Sequence, residues 1–201
     1  MSILDKRAIL PTLVPTSAVA IELGCGPRKR DAAALGIDAL DFPGVDLVGD
    51  VFEVLRAFPA GSVVRCSSSH FLEHVPDPAG LLDELARVMG QGAELRVTVP
   101  HFSNPYFHSD PTHQRSFGLY TLSYFAQDDL LRRKVPNYGR TPAFALESVR
   151  LGFDSPFPIR GLVRRIVGRF FNLATWLQEF HEENLCWLFP CYEIEFRLRR
   201  L

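Results

Sequence analysis

Thirteen residues, HFSNPYFHSDPTH at 101–113, hold three of the chain's six histidines together with one aspartate, two prolines and three aromatic rings. Their spacing fits neither a helix nor a strand, and long irregular segments inside a compact domain are usually functional. Imidazole takes up and gives back protons near neutral pH, so His101, His113 and His108 are candidate general bases, with Asp110 able to orient a neighbouring ring. Asn104 and Tyr106 can hydrogen-bond to or stack on a bound molecule, and Arg115 can hold an anionic group. Two further histidines, His70 and His74 in HFLEHV, are candidate substrate contacts. Clustered His and Asp also suit a divalent metal that holds hydroxyl oxygens. The spacing here is not diagnostic of one, although His70 and His74 stand at i, i+4, and no residue is assigned as a metal ligand.

A second chemistry-bearing stretch is IELGCGP at 21–27, where glycines fall at the end of an apolar run. Without a Cβ, Gly24 and Gly26 let the backbone turn sharply and let a ligand approach it closely. Two acids close the next two apolar runs, Asp38 in GID and Asp50 in VGD. In an open α/β sheet, ligands bind outside the carboxyl ends of the strands near the switch in strand order. An acid after the second strand there is placed to grip a ribose diol.

The elements that must position these groups follow from the hydrophobic pattern. Short β-rich apolar runs recur at 17–24, 35–38, 45–50, 62–69 and 93–100, as in strands covered on both faces. Residues 78–89, PAGLLDELARVM, carry one apolar stripe of Leu81, Leu82, Leu85, Val88 and Met89 behind Pro78, and Gly90 and Gly92 end that helix. FALESVRLGF at 144–153 and YEIEFRLRRL at 192–201 suit two closing strands. Between them lies a helical insertion, about 154–190. The pattern predicts an α/β, Rossmann-like doubly wound fold: a seven-stranded, mostly parallel sheet with its last strand antiparallel. One domain is expected over 1–201, with a cofactor-binding half (1–100) and an acceptor-side half (101–201).

VAIELGCGP, GID, VGD and HFLEHVPDPAGLLDELARVMGQGAELRVTVP together resemble the core of the Rossmann-like, class I S-adenosylmethionine-dependent methyltransferases, over residues 18–101. The resemblance implies roles. Glu22 would orient the glycine loop and the methionine amino end, and Gly24, Cys25 and Gly26 would lie against the cofactor. Asp38 would bind the ribose hydroxyls, Asp50 and Val51 would flank the adenine, and Ser68, Ser69 and His70 would border the methionine moiety. The product would be S-adenosylhomocysteine. The segment departs from the commoner pattern in lacking a third glycine and in its short crossover, PRKRDAAA, where Arg28 and Lys29 are expected to solvate a turn. The continuation PHFSNPY…SDPTHQRSF is similar to methyltransferases of bacterial surface-polysaccharide and related secondary pathways. That favours O-methylation of a sugar-like or other small-molecule acceptor, with N-methylation still open.

Other readings are bounded by the same residues. A nicotinamide oxidoreductase would show GxGxxG opening a full helix, which this loop does not. A protein that keeps the fold as a membrane-docked or partner-binding module would have no use for the whole set Glu22, Gly24, Gly26, Asp38 and Asp50. The net charge of −1 argues against a nucleic-acid partner. Four cysteines without CxxC spacing suggest reduced thiols in a cytoplasmic protein. The apolar N-terminal run, broken by two prolines, is not taken as a signal peptide. Residues 161–180 form a basic amphipathic pattern, with Leu162, Val163, Ile166, Val167, Phe170, Phe171, Ala174 and Leu177 on one face and Arg164, Arg165, Arg169 and Asn172 on another. Such a helix can lie peripherally on the inner face of an anionic membrane, or pack in a homodimer or against the sheet. The acidic HEENL that follows could pair with its arginines.

Overall fold

The computed structural model describes residues 3–201, which divide into two compact units. The first takes in residues 3–71, Asp77–Val97 and the last three residues; the second takes in Leu72–Pro76 and Thr98–Leu198. The division falls near the expected boundary at 100, but the LEHVP segment goes with the second unit.

The first unit contains β1 (Leu4–Asp5), β2 (Val19–Leu23), β3 (Leu35–Asp38), β4 (Leu47–Val48), α1 (Val51–Arg56), β5 (Val63–Ser69), α2 (Pro78–Val88) and most of β6 (Met89–Pro100). Its strand order is β1-β4-β3-β2-β5-β6. β2 is parallel to both β3 and β5, and β3 is parallel to β4. The order grows outward from β2 through β3 on one side and through β5 on the other, so the switch point lies between β2 and β5. Ile21, Leu23, Ile37, Leu47, Val63, Cys66, Leu95 and Val97 are all buried, as strands covered on two faces require.

Helix α2 forms where its stripe predicts. Asp77 caps it by accepting the Gly80 N–H at 2.9 Å, an interaction worth about 1 kcal/mol, and Leu81, Leu82, Leu85 and Val88 are buried. Met89, read as the helix's last residue, instead opens β6 with no intervening loop. Gly90 permits this because a Cβ there would stand 3.1 Å from the Gly61 carbonyl oxygen. The β2–β3 connection contains no helix, in keeping with its short sequence.

In the second unit the end of β6 is followed by β7 (Ala126–Gln127), β8 (Phe144–Gly152), α3 (Pro158–Phe171), α4 (Thr175–Asn184) and β9 (Glu193–Arg200, to Leu198 within this unit), with strand order β6-β9-β8-β7. The start of β9 meets the ends of both its neighbours: the Tyr192 N–H donates to the Gly152 carbonyl at 2.8 Å, and the His101 N–H donates to the Tyr192 carbonyl at 3.2 Å. The last strand is therefore antiparallel, as expected. All seven expected strands form. The two added ones, β1 and β7, are two-residue strands at the edges of their units' strand orders.

The single helix expected over 161–180 is two helices. Asn172 makes the break: its side-chain amide donates to the Gly168 and Leu151 carbonyls (2.7 Å each), while its oxygen accepts the Leu151 N–H at 2.9 Å. An amide that mimics a strand partner for β8 cannot also sit in a straight helix. Helix α3 buries only Gly161, Gly168 and Phe171. No helix among the described residues is long and apolar enough to cross a membrane.

Candidate active site

The glycine loop follows β2 on the first unit's switch point. Gly24 (φ +62°) and Gly26 (φ +57°) both take left-handed backbone that favours glycine. They do so for different reasons. A Cβ on Gly24 would meet the Phe71 side chain at 2.5–2.7 Å, whereas nothing lies within 4 Å of one on Gly26. The open side of the loop is therefore at Gly26. Glu22, buried at the end of β2, accepts the N–H groups of Arg30 (3.0 Å) and Asp31 (3.1 Å) and so closes the turn that replaces a crossover helix. Burial raises the Cys25 thiol to about 11, with the charges of Asp38 and Glu22 adding to the effect, so this cysteine stays protonated and is no nucleophile.

Asp38, at the end of β3, accepts the Gly26 N–H at 2.8 Å on one oxygen and the Leu40 N–H at 2.9 Å on the other. A carboxylate offers about four lone-pair sites, so two hydroxyls can still be accepted. Asp50 caps α1 through one oxygen only, accepting from Phe52 (3.0 Å) and Glu53 (3.1 Å), and Val51 is the first helical residue. Ser68 and Ser69, at the end of β5, hold buried hydroxyls that make no hydrogen bond. His70 follows them in the left-handed region (φ +52°), where a side chain costs about 1 kcal/mol or more.

Lys29, read as solvating a turn, does otherwise. Its ammonium donates to Asp46 at 2.7 Å and to the Ala34 carbonyl at 2.9 Å. Burial alone would raise the Asp46 pKa, but Lys29, the Gly36 N–H and Arg7 outweigh it and hold the carboxyl below its ordinary value.

In the second unit the irregular segment leaves β6 at His101 and returns at Phe117, whose carbonyl accepts the Phe102 N–H at 2.8 Å. It brings some of the candidates together and separates others. His101, read as a base beside a crevice, is wholly buried. Its Nδ1 accepts the Ser103 N–H at 3.1 Å, so its Nε2–H donates to Glu182 at 3.0 Å. The nearby Ser103 hydroxyl, also buried, accepts the Cys191 N–H at 3.0 Å. This is a corrected placement: every polar atom of His101 is engaged by the protein, which suits a structural pin. Asn104, read as a substrate contact, is buried too and bonds the Tyr192 carbonyl and the Tyr106 N–H, at 2.9 Å each. Tyr106 and His108 are exposed.

His113, Asp110 and His74 do assemble. The His113 Nδ1–H donates to the Phe107 carbonyl at 2.8 Å, Phe107 stacks on its ring at 4.8 Å, and its Nε2 lies 3.6 Å from Asp110. Bonds from the Thr112 hydroxyl and N–H, outweighing slight burial and aided by His113 and His74, hold the Asp110 carboxyl below its ordinary value. The His74 and His113 rings are 4.9 Å apart, and Arg115 binds the Pro76 carbonyl through Nε (3.1 Å) and Nη2 (2.5 Å). The residue that sequence reasoning missed is Glu73, fully buried beside His74 on the 3-10 turn Leu72–His74. An acid inside the apolar stretch FLEHV was the available signal. Two open grooves of about 820 and 640 Å³ lie along α3 and α4 and contain none of the residues named above for cofactor or acceptor.

The Methyltransferase domain family model matches residues 16–97, the stretch that holds the glycine loop, both strand-end acids and α2. A search of the curated proteins gave no match. Among solved structures, the chain is similar in fold to a SAM-dependent methyltransferase from Archaeoglobus fulgidus, with 18% identity, a TM-score of 0.55 and coverage of 96% of this chain and 92% of that one. It is also similar to an S-adenosylmethionine-dependent methyltransferase from Mesorhizobium loti, with 16% identity, a TM-score of 0.50 and 98% of each chain covered. A third is Haemonchus contortus phosphoethanolamine N-methyltransferase 2 in complex with S-adenosyl-L-methionine, with 13% identity, a TM-score of 0.52 and coverage of 92% of this chain and 49% of that one. These likenesses speak for the fold, and the matched domain speaks for the activity.

Residues 16–97 thus match a methyltransferase domain, and the chain has the Rossmann-like fold of S-adenosylmethionine-dependent methyltransferases. The Haemonchus contortus structure of this fold holds S-adenosyl-L-methionine. The residues present fit that molecule. A left-handed glycine with open space beside it, a strand-end carboxylate with lone pairs to spare and two buried hydroxyls without partners stand at one switch point.

Proposed function

We propose that the enzyme methylates a hydroxyl group of a small-molecule acceptor and that the hydroxyl proton leaves through the cluster of His113, His74 and Asp110. The bound cofactor supplies an electrophilic methyl group on a sulfonium centre. Asp38 would accept the ribose hydroxyls, Gly24, Cys25 and Gly26 would pass along the cofactor, and Asp50 and Val51 would border the adenine. Glu22 keeps the loop in shape, and Ser68, Ser69 and His70 would meet the methionine end. His74 follows Ser69 by five positions in the chain.

One observation carries the proton assignment. The Phe107 carbonyl can only accept, so the proton of neutral His113 sits on Nδ1 and its Nε2 carries a bare lone pair beside the Asp110 carboxylate. A hydroxyl that attacks the methyl carbon gives up its proton, and a positioned imidazole contributes about 10²–10⁴-fold to such a step. His101 has no such lone pair to offer. Replacing His113 with Ala should lower kcat about 100-fold or more in a screen against sugars with free hydroxyls, with cofactor affinity nearly unchanged. Unchanged kcat would move proton removal elsewhere, and methylation of amines alone would replace the hydroxyl reading.

The exposed side of α3 supports a second feature, a peripheral contact with the inner face of a membrane by an otherwise cytoplasmic enzyme. Ile159 (81% exposed), Leu162 (59%) and Ile166 (60%) lie open, with Val163 and Phe170 half exposed. Arg160, Arg164, Arg165 and Arg169 share the helix, and α3 contains no acid. Of the acids in HEENL, Glu182 is turned elsewhere, accepting from His101 and the Leu119 N–H. The four arginines favour an anionic lipid surface, each one near it being worth about 1 kcal/mol. The unaltered protein should sediment with phosphatidylserine-containing vesicles, and Arg165→Glu with Arg169→Glu should weaken this at least tenfold. No binding by the unaltered protein, or a homodimer that covers α3, would end the membrane reading.

A further inference from the structure

Glu73, His74 and His113 each offer one ligand atom, and the three atoms lie within 4.8 Å of one another. All three belong to the second unit, and each is held by the protein in a form fit to ligate. Thr112 donates its hydroxyl proton to Asp110 at 2.6 Å, so its oxygen acts as an acceptor toward His74 Nδ1 at 3.0 Å; the Thr112 carbonyl, another acceptor, is 3.3 Å from the same nitrogen. The proton of neutral His74 therefore sits on Nδ1, as it does in His113, and both rings present a bare Nε2. An imidazole whose other nitrogen donates to a carbonyl is the outer-shell arrangement that fixes the tautomer and aim of metal-bound histidines.

The frame around these groups is stiff. The Gln114 and Arg115 N–H groups both donate to the Glu73 carbonyl, at 2.8 and 3.1 Å, and the Gln114 side chain donates to the His74 carbonyl at 3.2 Å. These bonds tie the 3-10 turn to the histidine segment. Glu73 itself is wholly buried, with a carboxylate oxygen 3.9 Å from His74 Nε2. Asp110 adds a second carboxylate on the exposed side, 3.6 Å from His113 Nε2.

We propose that Glu73, His74 and His113 form a site for one divalent cation of the zinc, iron or cobalt class. Two neutral imidazoles and one carboxylate are the donor set these borderline ions prefer, whereas calcium and magnesium favour oxygen ligands throughout. A zinc ion about 2.0–2.1 Å from its donors needs them about 3.3 Å apart, so loading draws the three atoms inward. Three protein ligands leave open positions for water or for an acceptor oxygen. A hydroxyl bound there becomes more acidic; with both Nε2 lone pairs on the cation, its proton would pass to the nearby Asp110 carboxylate in place of His113. The cation site stands on the cluster's geometry; only this last role rests on the proposed methylation of a hydroxyl.

The test uses the full chain after chelator treatment, titrated with Co²⁺ for its visible absorption and with Zn²⁺ in competition with a chromophoric chelator. The cofactor is titrated into the same preparation by calorimetry. One equivalent of cation per chain is expected, with affinity falling at least tenfold in His74→Ala and in His113→Ala and unchanged in His108→Ala. Glu73→Gln, which keeps the buried shape, should also weaken binding, and circular dichroism confirms that each variant is folded. The cobalt spectrum of the unaltered chain needs no variant. No stoichiometric cation, or affinity in both histidine variants equal to that of the unaltered chain, overturns the site. If cofactor binding persists in that case, the cation assignment falls and the methyltransferase reading stands.

Discussion

The glycine loop and the histidine segment both leave the end of a buried strand as irregular chain, yet they are fixed by contacts of very different reach. The loop is held from close by in sequence: Gly26 bonds to Asp38, 12 residues on, and Glu22 to the N–H groups of residues 30 and 31. The histidine segment is held from far away. His101 bonds to Glu182 across 81 residues, and Asn104 to Tyr192 across 88. Local backbone chemistry therefore shapes the glycine loop, and remote elements decide which polar side chains of the histidine segment turn inward.

Substitutions can sharpen that contrast. The largest expected effect is Gly24→Ala. The new methyl would press on the Phe71 ring in a left-handed backbone, which should cost about 3 kcal/mol or more and show as a lowered thermal midpoint. Next is His101→Ala. It leaves the half-buried Glu182 and the buried Ser103 without their ring partner, at a cost of about 2–3 kcal/mol, while cofactor affinity of the folded protein holds. A His101→Ala variant of full stability but reduced kcat would return this residue to the reaction. The smallest loss of stability, about 1 kcal/mol, is expected for Gly26→Ala, where only the backbone is strained. Cofactor affinity should nevertheless fall at least tenfold there, because the methyl would occupy the open side of the loop. Wild-type affinity in that variant would place the cofactor elsewhere.

What the sequence reveals follows the same division. Left-handed glycines, strand-end acids and the α2 stripe are local signals, and each appears where its spacing places it. The amphipathic pattern of 161–180 shows a helix with one apolar face, but the break at Asn172 depends on Leu151, 21 residues back on β8, and no local pattern encodes it. His101 has the same residue type and the same neighbours in sequence as a catalytic histidine would. Glu182, arriving from α4, joins the Ser103 N–H to make it a pin. Glu73 was hidden in the opposite way, as an acid inside an apolar run, where burial rather than spacing gives it meaning.

The measurement that bears most directly on the central claim is calorimetric titration of the purified protein and its Asp38→Ala variant with S-adenosylmethionine, S-adenosylhomocysteine and NAD. The account predicts that the unaltered protein binds the first two and ignores NAD. It also predicts that removing the Asp38 carboxylate weakens binding at least tenfold, the scale of one charged hydrogen-bonding group. Binding of NAD, silence toward both adenosyl compounds, or equal affinity in the variant would contradict it.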